Sequence, residues 1–183
     1  VLKMSGKGVI FDTSKAPEQI PRLAHIPGVD LRVVHLVRDP RGWCNSRRKK
    51  GFGPMMKNAD MWVVRNRYIS RLLKGVPRDR AIFLRYEEFC KDPQDAMNRV
   101  FSLAGLPSVP IPDTLEPTDY HILGNRMRSL QQVQVKEDVS WLNELSAAEI
   151  TTIEERTFPL ARQYGYSPAI ERSGSSQVRA TAL

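Results

Sequence analysis

Residues 33–48 read VVHLVRDPRGWCNSRR, and the residue types change character twice along this stretch. It opens on β-branched and apolar residues without strict alternation, the pattern of a strand covered on both faces. Arg38-Asp39-Pro40 follows. Asp39 suits a helix cap and Pro40 the first helical position, so the strand turns directly into a helix. In a parallel α/β sheet, ligands sit at the carboxyl ends of strands. The first N–H groups of a helix at such an end favour an anion. Arg38 adds a planar fork suited to phosphate oxygens, and Ser46, eight residues on, offers a hydroxyl from the same element.

Working outward, three runs read as buried strands: 8–12 (GVIFD), 31–37 (LRVVHLV) and 81–86 (AIFLRY). Helical patterns fall between and after them. Residues 58–74 carry Met61, Val64, Tyr68 and Leu72 near helical spacing. Asp92-Pro93 starts a helix with the apolar stripe Met97, Val100, Phe101 and Ala104. Gly105 ends it, with Pro107 beyond. Ser146 and Glu149 form a capping-box pattern opening a helix to about Tyr164, stopped by Gly165, with a kink or break expected at Pro159. Strands separated by helices predict an α/β fold with a parallel sheet. Residues 107–117 and 120–137 read as long loops over one end of that sheet, and 171–183 as a frayed tail after a domain spanning 1–170.

The chain has 183 residues, 41% of them hydrophobic, enough for the core of one domain. No run approaches the roughly 18 apolar residues of a membrane span. Two cysteines, Cys44 and Cys90, and three scattered histidines make neither a disulfide framework nor a metal site. The net charge of +8 includes a cluster at Arg38, Arg41, Arg47, Arg48, Lys49 and Lys50, which favours an anionic partner. Nucleic acid is disfavoured because no base-stacking aromatics interleave with this run. Arg41, Arg47 and Arg48 read as a solvated or substrate-facing surface, Glu87 and Glu88 as an exposed acidic turn, and Trp43, Trp62 and Trp141 as packing residues.

LVRDPRGWCNSRR resembles the 3′-phosphate-binding strand–loop–helix of sulfotransferases that use 3′-phosphoadenosine 5′-phosphosulfate (PAPS). FLRYEEFCKDP at 83–93 resembles the family's Arg-Tyr-Glu segment. HILGNRMR at 121–128 resembles the His…Gly-Asn-x-x-Arg loop of carbohydrate-type and bacterial-type members. DTSK at 12–15, WLNELSAAEI at 141–150 and PLARQYGY at 159–166 fit as well. The likeness runs from Gly8 to Tyr166. It implies a three-layer, P-loop-NTPase-like parallel sheet with flanking helices. It also implies that Arg38 and Ser46 hold the 3′-phosphate, that Tyr86 lies near the adenine, and that Gly124 and Asn125 shape a loop placing Arg128 near a nucleotide phosphate.

The implied reaction moves a sulfuryl group from PAPS to an acceptor hydroxyl or amine, on a carbohydrate by the lean of the Gly124–Arg128 motif, without a metal. By position alone, Lys15 at a strand's carboxyl end would reach the sulfuryl oxygens or the acceptor. The family's glycine- and serine-rich 5′-phosphosulfate loop has no counterpart among these residues, nor has a G-x-x-x-x-G-K-[ST] motif. The expectation is therefore a partial domain lacking the N-terminal strand–loop–helix and the usual catalytic base. Such a chain would bind adenosine 3′,5′-bisphosphate weakly and would not turn over. The compartment stays open between Golgi membrane and cytoplasm. The alternative reading is a basic nucleic-acid-binding module, and a third is a kinase relative, disfavoured by the absent Walker loop.

Overall fold

The computed structural model describes residues 8–112 and 135–169. Strand β1 (Val33–Val37) runs parallel to β2 (Ala81–Arg85), in register from Val33 opposite Ala81 to Val37 opposite Arg85. Parallel neighbours need a crossover. Here helices α2 (Pro40–Lys49) and α3 (Met55–Leu73) make it, followed by a 3₁₀ turn (Arg78–Arg80). A short helix α1 (Gln19–Ala24) precedes β1. After β2 come α4 (Tyr86–Lys91), α5 (Pro93–Ala104), α6 (Trp141–Glu144), α7 (Ala147–Ala161) and a 3₁₀ turn (Arg162–Tyr164).

Side chains alternate across the strands. His35 and Phe83, opposite each other in register, both meet Tyr164, at 5.7 Å and 5.3 Å between ring centroids. On this side Val37, Trp62, Phe158, Leu160, Ala161 and Tyr166 form one core cluster. Cys44, Ala59, Trp141, Leu145 and Ile153 form a second where α2, α3, α6 and α7 converge. Leu84 points to the other face and is buried, and α5 packs on β2 with Ala96 and Val100 turned inward. The strand pair thus lies between helical layers, a mixed α/β architecture.

The helix ends follow their sequence signals. Asp92 accepts from the Asp95 N–H, and Gly105 closes α5 at φ 67°, where a Cβ would be strained. Ser146 and Glu149 form the reciprocal capping box. Helix α7 continues through Pro159 to Ala161, before the 3₁₀ turn. Residues 113–134 and 170–183, which include part of the expected loops and the expected tail, lie outside the described residues.

Two expectations are corrected. Residues 8–12 form no strand: Val9, Ile10 and Phe11 are 45%, 55% and 65% exposed. β-propensity makes a strand only where an edge and a covering face accept it. In α3 the apolar residues Met61, Val64 and Tyr68 face outward. The buried face is Asn58, Ala59, Trp62 and Asn66, whose amides are hydrogen-bonded, including Asn66 Nδ2 to the Trp62 carbonyl at 2.8 Å. Bonded amides remove the usual penalty for burying polar groups.

Candidate functional site

The carboxyl end of β1 turns into α2 through Arg38 and Asp39, and neighbouring side chains fix that turn. The Val37 carbonyl accepts from Tyr166 Oη at 3.1 Å. The Arg38 carbonyl accepts from Trp62 Nε1 at 3.0 Å. Glu87 joins two elements, accepting from the Asp39 N–H and from the Tyr166 hydroxyl, both at 2.8 Å. Burial, reinforced by the Glu87 charge, raises the Tyr166 phenol above its ordinary range. Glu87 is therefore not part of an exposed acidic turn; it braces the junction from β2's side. Asp39 accepts from the Arg41 N–H at 2.8 Å. The helix N-terminus is thus already capped by a carboxylate. The Trp43 N–H bonds the Asp39 carbonyl at 2.9 Å, while the Gly42 N–H makes no such bond among the described residues.

Arg41 is another correction. It is fully buried, not solvated. Its guanidinium donates to Asp39 at 2.9 and 2.7 Å, to Glu154 at 2.8 Å and to the Ser167 carbonyl at 3.2 Å. It lies 4.5 Å from the Trp141 ring centroid and 5.2 Å from that of Phe158. Burial opposes its charge, but Asp39 and Glu154 outweigh burial and raise its pKa. Three further members of the basic cluster are also engaged. Arg47 sits between Trp43 and Phe52, Arg48 pairs with Glu149 at 3.4 Å, and Lys49 pairs with Glu144 at 2.8 Å.

Arg38 differs from these arginines. Its guanidinium lies across Gly42, the first full turn of α2. A Cβ there would stand 3.1 Å from Arg38 Nε and 3.2 Å from Nη2, so the missing side chain makes room for the fork. The half-buried Ser46 is one helical turn past Gly42, and residues four apart share a helix face. Its hydroxyl makes no hydrogen bond to a described residue. Tyr86, the first residue of α4, carries the Arg38 guanidinium 4.7 Å from its ring centroid. Burial, aided by Cys90, raises the Tyr86 phenol. Its hydroxyl donates to the Lys136 carbonyl at 3.3 Å and accepts from the Asp138 N–H at 3.4 Å. Asp138 in turn meets Arg38, with Nη2 at 3.0 Å from Oδ2 and 3.1 Å from the Asp138 carbonyl. Burial works against the Asp138 carboxylate, yet hydrogen bonds from Ser140 and Arg38 hold it at about 2.

The structure therefore brings Arg38, Tyr86 and the Ser46 face of α2 together. Among the described residues no contact links Lys15 to them. Lys15 is exposed at φ 60°, no strand precedes it, and its carbonyl accepts from Arg65. With no strand at 8–12, Lys15 does not stand at a strand's carboxyl end. Gly124, Asn125 and Arg128 lie outside the described residues. Asp138 escaped the sequence reading because an acid a hundred residues from Arg38 carries no local signal. Glu87 had one: it follows the strand that pairs with β1. Among the described residues, no group of three or more His, Cys, Asp or Glu is placed to hold a metal ion, and no helix is long and apolar enough to cross a membrane.

Comparison with known proteins agrees with this layout. No curated protein matches the chain. Among solved structures, the sulfotransferase domain from the curacin biosynthetic pathway is similar, with a TM-score of 0.53 at 18% identity. The match covers 84% of this chain and 59% of that one, so the chain spans less than two thirds of its neighbour's length. At this identity the likeness concerns the fold. The model of the Sulfotransferase family matches residues 12–110, more than half of the sequence and inclusive of β1, α2 and β2, and the chain belongs to that family.

Proposed function

We propose that the chain binds PAPS by its 3′-phosphate at Arg38 and Ser46, as part of a site that transfers the sulfuryl group to an acceptor hydroxyl or amine. The observation that carries this reading is Arg38 laid across Gly42, on the same face of α2 as the unengaged Ser46 hydroxyl. A guanidinium fork and a hydroxyl one helical turn apart match the oxygens of a phosphate monoester. Tyr86 beside Arg38 offers an aromatic face for a purine. A carbohydrate acceptor is supported by the Gly124–Arg128 sequence motif.

Bound PAPS would supply an activated sulfuryl group with a good leaving group. The part of this chain is then to hold the nucleotide end and fix its orientation, the positioning contribution to a transfer reaction. The internally paired Arg41, Arg48 and Lys49 weigh against a nucleic-acid interface, since those charges are already matched by Asp39, Glu154, Glu149 and Glu144.

Isothermal calorimetry with adenosine 3′,5′-bisphosphate and with 5′-AMP tests the reading. The bisphosphate binds more tightly, and Arg38→Ala removes that preference at a loss of about tenfold or more, the worth of a hydrogen bond to a charged group. Equal affinities in the wild-type protein would sink the proposal.

A further inference from the structure

We infer that Asp138 is an internal counter-ion occupying the anion position of Arg38, and that an incoming oxyanion binds by displacing it. The inference rests on the reading of Arg38 as a phosphate ligand and concerns how access to it is controlled. Asp138 offers Arg38 an oxygen pair: carboxylate Oδ2 at 3.0 Å and its own carbonyl at 3.1 Å, both on Nη2. A phosphate would present oxygens to the same fork at shorter range and with more charge. The contact bridges a hundred residues of chain, so it is set by tertiary structure.

Two features keep the carboxylate there. The Ser140 N–H donates to Oδ1 at 3.1 Å, leaving Oδ2 for Arg38. The Asp138 N–H donates to Tyr86 Oη at 3.4 Å, and Tyr86 itself lies against the Arg38 guanidinium. Residues 136–138 are thus tied to the two side chains assigned to the nucleotide. A phosphate at Arg38 would face the Asp138 carboxylate at close range, and like charges at such distance repel. The pair is also partly solvated, with side chains 19% and 42% exposed. An ion pair of that exposure is worth little, so displacement by a dianion is within reach. The arrangement tunes affinity downward and lets the site relax to a self-neutralised state when empty.

Asp138→Asn tests this with little disturbance of the fold, because the amide keeps an acceptor for the Ser140 N–H. We expect adenosine 3′,5′-bisphosphate to bind up to about fivefold tighter, the scale of an exposed ion pair, while 5′-AMP is unaffected. Inorganic sulfate, followed through the Arg38 Nε–H resonance, should likewise perturb Arg38 at lower concentration in the variant. If wild type prefers the bisphosphate but Asp138→Asn binds it equally or more weakly, Asp138 is a support for Arg38 and the counter-ion inference is overturned, with the nucleotide reading intact. If sulfate titrates Arg38 more readily in the variant and neither protein distinguishes the two nucleotides, the counter-ion inference holds and the nucleotide reading falls. If no anion reaches Arg38 in either protein, both fall.

Discussion

Two arginines three positions apart, Arg38 and Arg41, have opposite environments. Arg41 is wholly enclosed and matched by Asp39 and Glu154 with ring faces above it. Arg38 sits at the rim with one polar partner segment. A buried pair is weak evidence of stabilisation over an apolar replacement, but removing one member leaves the others uncompensated. Arg41→Ala should therefore destabilise the fold by about 3–5 kcal/mol, read as a lower midpoint in urea unfolding; a change under about 1 kcal/mol would show that Asp39 and Glu154 find water instead. The contrast also explains which part of the site could be read from sequence. Arg-Asp-Pro identifies the turn, and the spacing to Ser46 identifies one helix face. Nothing local says that Arg41 turns inward, because its partner Glu154 is 113 residues away.

At the scale of elements, the signals that held were those that satisfy backbone groups within a few residues. Asp92 and Gly105 bound α5, and Ser146 with Glu149 opens α7. These motifs act locally, so no distant segment can overrule them. Ser146→Ala should cost about 1 kcal/mol, detectable as a reduced thermal midpoint, since the capping box supports the helix that packs most closely on α3. An unchanged midpoint would mean that packing alone fixes the start of α7. The signals that failed depended on which face or edge finds a neighbour. The apolar run at 8–12 lacks a pairing edge, and α3 buries Asn58 and Asn66 while exposing Val64. Periodicity specifies that a helix has faces; the partner decides which is covered.

For the molecule as a whole, the buried His35 links β1 to α3 and to Tyr164. Its ring bonds Asn66 Oδ1 at 3.2 Å and touches Phe83 and Tyr164 edge-on. Burial lowers its pKa from the usual 6.5, and the Asn66 bond only partly opposes this. The unfolded chain thus takes up the proton at higher pH than the folded one. The contribution is complete above the unfolded value and is lost as pH falls through it toward the lower folded value. Unfolding free energy measured at about pH 7.5 and about pH 5.5 should decline on acidification, and His35→Gln should flatten that decline. An equal decline in the variant would place the acid sensitivity elsewhere. The overall fold was legible because α/β alternation and a strand–turn–helix survive in the residue pattern. The assembly of the site was not, since its braces come from α4, just past β2, and from residues more than a hundred positions away.

That last brace has a consequence for the order of events when the protein is made. Tyr166 closes onto Val37 across 129 positions, and the Ser167 carbonyl onto Arg41 across 126. Contacts of such separation are the slow ones in folding. A growing chain cannot fasten the turn at 38–40 until residues 166 and 167, more than 125 positions later, have been synthesised. The turn between β1 and α2 is therefore completed late relative to its own synthesis.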